Sequence, residues 1–134
     1  MTPAMINGRT KGHAFERDMI RIFQDEFGDC ASHLKRVLDQ YQEKGRADIE
    51  FNNLRVECKR YAAGSWYKPE WWKQCCESAH GKFIPVLIYK FDRQPIRFVF
   101  RLSDIGWYPQ DDDSTITTDI ATGIMLMREL LEFK

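Results

Sequence analysis

Asp48, Glu57 and Lys59 are the residues of this chain whose types and spacing could do chemistry. They lie in a stretch, 46–60, built of two strictly alternating runs: Ala47, Ile49 and Phe51 are apolar in the first, Leu54, Val56 and Cys58 in the second, and Asn52-Asn53 lies between. Strict alternation marks strands with one buried face, and Asn tolerates the left-handed backbone of a tight turn, so the stretch predicts a two-strand hairpin. A two-residue loop at Asn52-Asn53 fixes its register. Asp48 then faces Glu57, Glu50 faces Arg55, and Arg46 faces Lys59.

Directly opposed side chains have β-carbons about 4.5–5.5 Å apart, and like charges placed there destabilise the pair. A divalent cation is the usual compensation, because hard Mg²⁺ or Mn²⁺ prefers oxygen and takes one or two carboxylates plus waters and phosphates. Lys59 projects from the same face as Glu57. Two carboxylates with an ammonium beside them can hold a phosphodiester, orient or deprotonate a water and neutralise charge developing on phosphorus. A solvated polar hairpin face would explain Glu50 opposite Arg55, but not acid opposite acid or base opposite base.

Asp48, followed by Glu57-Cys58-Lys59 on the next strand, resembles the PD-(D/E)xK nuclease superfamily. The context Gly45-Arg46-Ala47-Asp48-Ile49 and Val56-Glu57-Cys58-Lys59-Arg60 is most similar to archaeal-type Holliday junction resolvases and related small stand-alone nucleases. Ala47 stands where many members have Pro. The resemblance spans Gly12 to Phe91 and implies an α/β, restriction-endonuclease-like fold, a mixed central β-sheet flanked by helices. It also implies an endonuclease dependent on Mg²⁺ (or Mn²⁺) that hydrolyses DNA phosphodiesters at branched DNA. In that reading Asp48 and Glu57 hold the metal with the Cys58 carbonyl as a further ligand, and Lys59 positions the attacking water. Gly12-x-x-Phe15-Glu16 matches the family's first-helix pattern, making Glu16 a third carboxylate, and Gln74 on the helix after the Glu-x-Lys strand helps orient substrate. The resolvases are two-fold dimers, so a homodimer is implied as well. The alternatives are a non-catalytic DNA-structure-binding module on the same fold, a repair or restriction-type nuclease, and an interaction protein with a solvated hairpin.

The elements that must position these residues are readable around them. In 13–27, Phe15, Met19, Ile22, Phe23 and Phe27 recur at helical spacing with Gly28 at the C-cap position, which predicts an amphipathic helix carrying Glu16 beside its apolar stripe. Residues 1–12, with Arg9 and Lys11, read as a flexible basic lead-in able to touch phosphates. A short edge strand is expected over 34–38 and a polar loop over 39–45. After the hairpin, 61–67 form a small-residue hinge ending in Trp66 and Tyr67, rings that either stack on unpaired bases or cover the core. Pro69 suits a first helical turn, and Trp72, Cys75, Cys76 and Ala79 form the apolar stripe of a helix that Gly81 stops. Arg46, Arg60, Trp66 and Lys73 join Arg9 and Lys11 as candidate DNA contacts.

Residues 83–91 form an apolar, branched strand in which Pro85 argues for an edge or bulge, and 96–102 alternate as its partner. Residues 103–114, with Asp111-Asp112-Asp113, read as a solvated loop lacking the spacing of a calcium loop. Thr118 is the expected cap of a last helix whose stripe, Ile120, Ile124, Met127 and Leu131, either closes the core or forms a dimer contact. Residues 103–134 lie outside the resemblance.

At 134 residues, with 43% hydrophobic and 30% charged residues, the composition is that of one soluble globular domain without a membrane span, and a cytoplasmic location is expected. Cys30, Cys58, Cys75 and Cys76 show no zinc or Cys-x-x-Cys spacing and read as reduced apolar residues. Net charge is zero, yet Lys and Arg exceed Asp and Glu by 18 to 13 over 1–103 and are outnumbered 2 to 7 over 104–134. The positive part contains Asp48, Glu57 and Lys59, which suits a polyanionic partner.

Overall fold

A computed structural model describes residues 8–37, 45–106 and 113–132, with side chains from Lys11 onward in the first segment. Helix α1 (Gly8–Phe27) comes first, followed by a 3₁₀ helix (Gly28–His33) and strands β1 (Leu34–Arg36), β2 (Ile49–Phe51) and β3 (Leu54–Tyr61). Helix α2 (Pro69–Ala79), strands β4 (Ile84–Phe91) and β5 (Arg97–Arg101), the one-turn helix α3 (Leu102–Ile105), strand β6 (Thr115–Thr118) and helix α4 (Ile120–Leu130) complete the order.

The strands form one six-stranded mixed sheet in sequence order. Pairing is antiparallel except between β3 and β4, which run parallel from Leu54 beside Ile84 to Tyr61 beside Phe91. Parallel neighbours need a crossover, and α2 supplies it.

The hairpin has the register that the alternation dictates, with Ile49 opposite Val56, Glu50 opposite Arg55 and Phe51 opposite Leu54. Asn52 takes the left-handed turn conformation at φ 52°. Both turn asparagines also grip the end of the chain: Asn53 Nδ2 donates to the Leu130 carbonyl at 2.8 Å and Asn52 Nδ2 to that of Glu132 at 3.0 Å.

Each sheet face has its own core. On one, Phe15, Met19, Phe23 and Phe27 of α1 recur every fourth residue and pack on Ile49, Phe51, Leu54, Val56, Cys58, Val86, Ile88, Phe98 and Phe100. Ile124 and Met127 of α4 join that core, so the last helix closes it. Gly123 permits the approach, since a Cβ there would stand 2.4 Å from Phe98. On the other face, Trp71 and Cys75 of α2 cover Leu87, Tyr89, Phe91 and Val99.

Several expectations are corrected. Helix α1 begins at Gly8, so residues 8–12 are its opening turns rather than a lead-in; Lys11 is tied to Asp92 at 3.2 Å, a contact 81 residues away in sequence. Residues 1–7 and most of the polar loop, 38–44, lie outside the described residues. Gly28 does take the expected C-cap position, left-handed at φ 56° just after α1 ends at Phe27, but the chain continues directly into the 3₁₀ helix. In α2 the buried ring is Trp71, with Ser78 beside it, while Trp72 is only half-buried, and His80 (φ 54°) rather than Gly81 takes the left-handed C-cap. Pro85 sits in a central strand. Ile84 N–H donates to the Asn53 carbonyl, which turns the Pro85 nitrogen toward β5, where pairing starts only at Leu87. Residues 102–105 are helical where the end of a strand and the start of a loop are expected, 115–118, between that loop and the expected cap, form a strand, and Asp119, accepting from Thr122 N–H at 2.8 Å, caps α4 in place of Thr118. Residues 107–112, including Asp111 and Asp112, are outside the described residues.

Candidate active site

Alternation places Asp48, Glu50, Arg55, Glu57 and Lys59 on the hairpin face opposite the α1 core. Near the turn this face is ordinary surface. Arg55 lies over the Phe83 ring at 3.6 Å, and Glu50 pairs with Arg46 at 3.0 Å rather than with the facing Arg55.

Farther along, the same face goes under α2, and two carboxylates become buried. Glu57 is 1% exposed and Asp48 9%. Both ends of Asp48 are fixed by backbone: Oδ2 accepts the Cys58 N–H at 2.9 Å, and its carbonyl accepts the Val37 N–H at 2.8 Å. Burial first, then the Asp48 charge and a hydrogen bond between the two carboxyls, hold Glu57 well above the carboxylate range; Lys59 opposes this and Glu16 adds to it. Glu57 Oε1 is buried without a hydrogen-bond partner. A buried orphan oxygen beside a second acid is costly, and a hard cation or a proton relieves it.

Lys59 Nζ donates to Gln74 Oε1 at 2.8 Å, so the helix after the Glu-x-Lys strand does bring its glutamine to the lysine. Lys73, the residue before Gln74 on α2, is exposed. Glu16 reaches the sheet from α1. Its Oε1 accepts from Arg36 Nε at 3.1 Å, and burial together with the Asp48 charge raises its pKa from 4.5 to about 7, against the opposing Arg36 bond and charge and the nearby His13. Among the described residues, no three His, Cys, Asp or Glu side chains are arranged to hold an ion, so the converged pair is Asp48 with Glu57, and Glu16 stands with Arg36. Arg36 is a site residue that sequence reasoning missed; its position on an edge strand whose first and third residues face α1 was the available signal.

The candidate DNA contacts divide. Arg60 and Lys11 both pair with Asp92, just past the end of β4, and Arg46 with Glu50. Trp66 is exposed, whereas Tyr67 is half-buried against Tyr89. Cys58 turns its sulfur into the α1 core, leaving only its backbone at the acids. The side chain of Arg9 lies outside the described residues. No helix of the described residues is long and apolar enough to cross a membrane.

The sheet, its covering helices and the paired acids with their lysine define a nuclease-like site. A family model described as "Phage putative PDDEXK endonuclease" matches residues 7–128, and the chain belongs to this family. The match bears out the PD-(D/E)xK resemblance and extends past Phe91, taking in β5, β6 and most of α4. The fold is the expected α/β, restriction-endonuclease-like one. No curated protein matches the chain. Among solved structures it is similar to Hjc of Archaeoglobus fulgidus, a Holliday junction resolvase from an archaeal hyperthermophile, at 16% identity and a TM-score of 0.48 over 92% of this chain and 99% of that one.

Proposed function

We propose that this chain is an endonuclease that hydrolyses DNA phosphodiesters with Mg²⁺ (or Mn²⁺) held between Asp48 and Glu57. The observation that carries the reading is the buried Asp48–Glu57 pair with Glu57 Oε1 unpartnered, beside a lysine steered by Gln74. When bound, the ion supplies Lewis-acid stabilisation of the phosphate and lowers the pKa of an attacking water.

The protein's own groups do the rest. Cys58 N–H fixes the Asp48 carboxylate, and the Cys58 carbonyl is a further candidate ligand. Lys59 meets the negative charge that grows on the phosphoryl oxygens, and Gln74, by accepting from its ammonium, limits where that charge sits. Glu16, kept in place by Arg36, serves as the next carboxylate out from the pair. Exposed Lys73 and half-buried Arg46 flank the pair as phosphate contacts; Lys11 and Arg60 join only by exchanging Asp92 for phosphate. Branched DNA is the proposed substrate, on the likeness of the 45–49 and 56–60 segments to the resolvases. A homodimer would give two symmetric cuts.

Cleavage of a labelled four-way junction beside its linear duplex, with Mg²⁺, Mn²⁺ or chelator and with Glu57→Ala as control, tests this. Paired symmetric cuts confined to the junction, dependent on metal and on Glu57, are expected. Binding of the junction without any cutting overturns the catalytic reading and favours a DNA-structure-binding module; equal cutting of the duplex removes the branched substrate.

A further inference from the structure

Beyond Lys59 the seam between β3 and α2 turns from polar to aromatic. Tyr61, the last residue of β3, lies flat on Trp71, with ring centroids 4.9 Å apart and planes inclined by 8°. Trp71 is buried and packs on Tyr89 at 6.3 Å and Phe91 at 6.0 Å, so the core fixes the underside of the Tyr61 ring. Tyr61 nevertheless remains 45% exposed. Trp66, in the loop that follows, is 58% exposed while resting on Tyr67 and Tyr89. Among the described residues the exposed large hydrophobic side chains are these two and Met125, so two of the three stand on one aromatic cluster.

The strand ties this cluster to the site. Lys59 and Tyr61 share a face of β3 and lie about 6.6 Å apart along it. Their partners on α2, Gln74 and Trp71, are one turn apart, so lysine and ring are adjacent steps of one seam. Arg60, between them, points to the other face and is held by Asp92. Stacked nucleotides rise about 3.4 Å each, so a strand with its phosphate at Lys59 reaches Tyr61 one or two nucleotides on. A base inside a duplex has both faces covered by its neighbours. Only an unstacked base can present a face to the tyrosine.

We propose that Tyr61, backed by Trp71 and joined by Trp66, is a stacking shelf for an unpaired base one or two nucleotides from the scissile phosphate. It selects strands that are open next to the cut. The shelf is a specificity determinant of the site proposed above and rests on that reading for its position.

The test uses the full chain in chelator with a single-stranded oligonucleotide carrying 2-aminopurine, whose fluorescence is quenched on stacking, beside a duplex of the same sequence. Wild-type protein is expected to bind and quench the single strand. Tyr61→Ala should weaken that binding about tenfold and relieve the quenching, while duplex binding changes less than about twofold. Tyr61→Phe should behave as wild type, because the ring and not the hydroxyl makes the contact. Trp66→Ala, at a more exposed position, should give a smaller loss with folding intact. Unchanged quenching in Tyr61→Ala, or equal losses on single strand and duplex, overturns the shelf. Cleavage by wild type with Mg²⁺, read in parallel, separates the two ideas: a protein that cuts with the same strand preference after Tyr61→Ala sinks the shelf alone, whereas one that cuts no DNA sinks the nuclease reading and leaves the quenching to decide the shelf.

Discussion

The two faces of the hairpin are made by the same two strands, yet they do opposite things. Toward α1 stand Ile49, Phe51, Leu54 and Val56, fully buried in apolar surroundings that stabilise the fold. Toward α2 stand Asp48 and Glu57, nearly as buried, and there the surroundings penalise the charge of Glu57. One face is where the hydrophobic effect acts, and the other is where the fold tolerates a cost. The pairing teaches that the first face maintains the second. A slip of one residue in register would exchange them, and a rigid apolar side is what prevents it.

The contrast can be broken most sharply at the acids. Asp48→Asn or Glu57→Ala should lower cleavage on the order of 10³-fold or more while leaving DNA binding intact or tighter, since repulsion of phosphate is relieved. Cleavage assays beside binding titrations check it; retained turnover in Asp48→Asn would remove that residue from the mechanism. On the apolar face, Phe51→Ala should cost about 3–5 kcal/mol, because the ring meets Phe27 at 5.3 Å and Phe23 at 5.9 Å and leaves a cavity. Denaturant unfolding measures that loss, and activity per folded molecule should stay near wild type.

Gly123→Ala sharpens the picture of the same core by filling space that does not exist. Its new methyl would meet the ring root of Phe98, and a destabilisation of about 1–3 kcal/mol is expected in thermal or denaturant melts. On the polar face, Gln74→Ala should slow cleavage by about tenfold with stability changed by no more than about 0.5 kcal/mol, because it frees Lys59 without opening the core.

The smallest effect is the pH dependence of the metal-free protein. Glu16 is raised from 4.5 to about 7 on folding and Glu57 is raised as well, so between the unfolded and folded values the native state binds protons that the unfolded chain has released. Their contribution is therefore complete below about pH 4.5 and is lost as pH rises toward and past 7. Melting in chelator should show stability declining over that range, and Glu57→Gln should flatten the decline. An unchanged slope would mean that Glu57 is not protonated in the metal-free protein.

The sequence by itself determined the hairpin: alternation assigned each residue to a face, and Asn52-Asn53 set the register that puts Asp48 opposite Glu57 and Lys59 on the same side. It also determined α1 and α2, whose apolar spacing is local, and with α2 the placement of Gln74 one helix beyond the lysine. Only the tertiary structure decided which neighbours these residues meet. Arg36 closing on Glu16, Asp92 claiming both Lys11 and Arg60, and the packing of Trp71 rather than Trp72 under Tyr61 are contacts between segments far apart in the chain or choices between equally apolar residues. Strand β6 was hidden for a related reason: Thr115–Thr118 offers a single hydrophobic residue, Ile116, too few to show an alternation, and is a strand because β5 offers it an edge to pair with. Periodicity encodes which way a side chain points, and it is silent on what stands there.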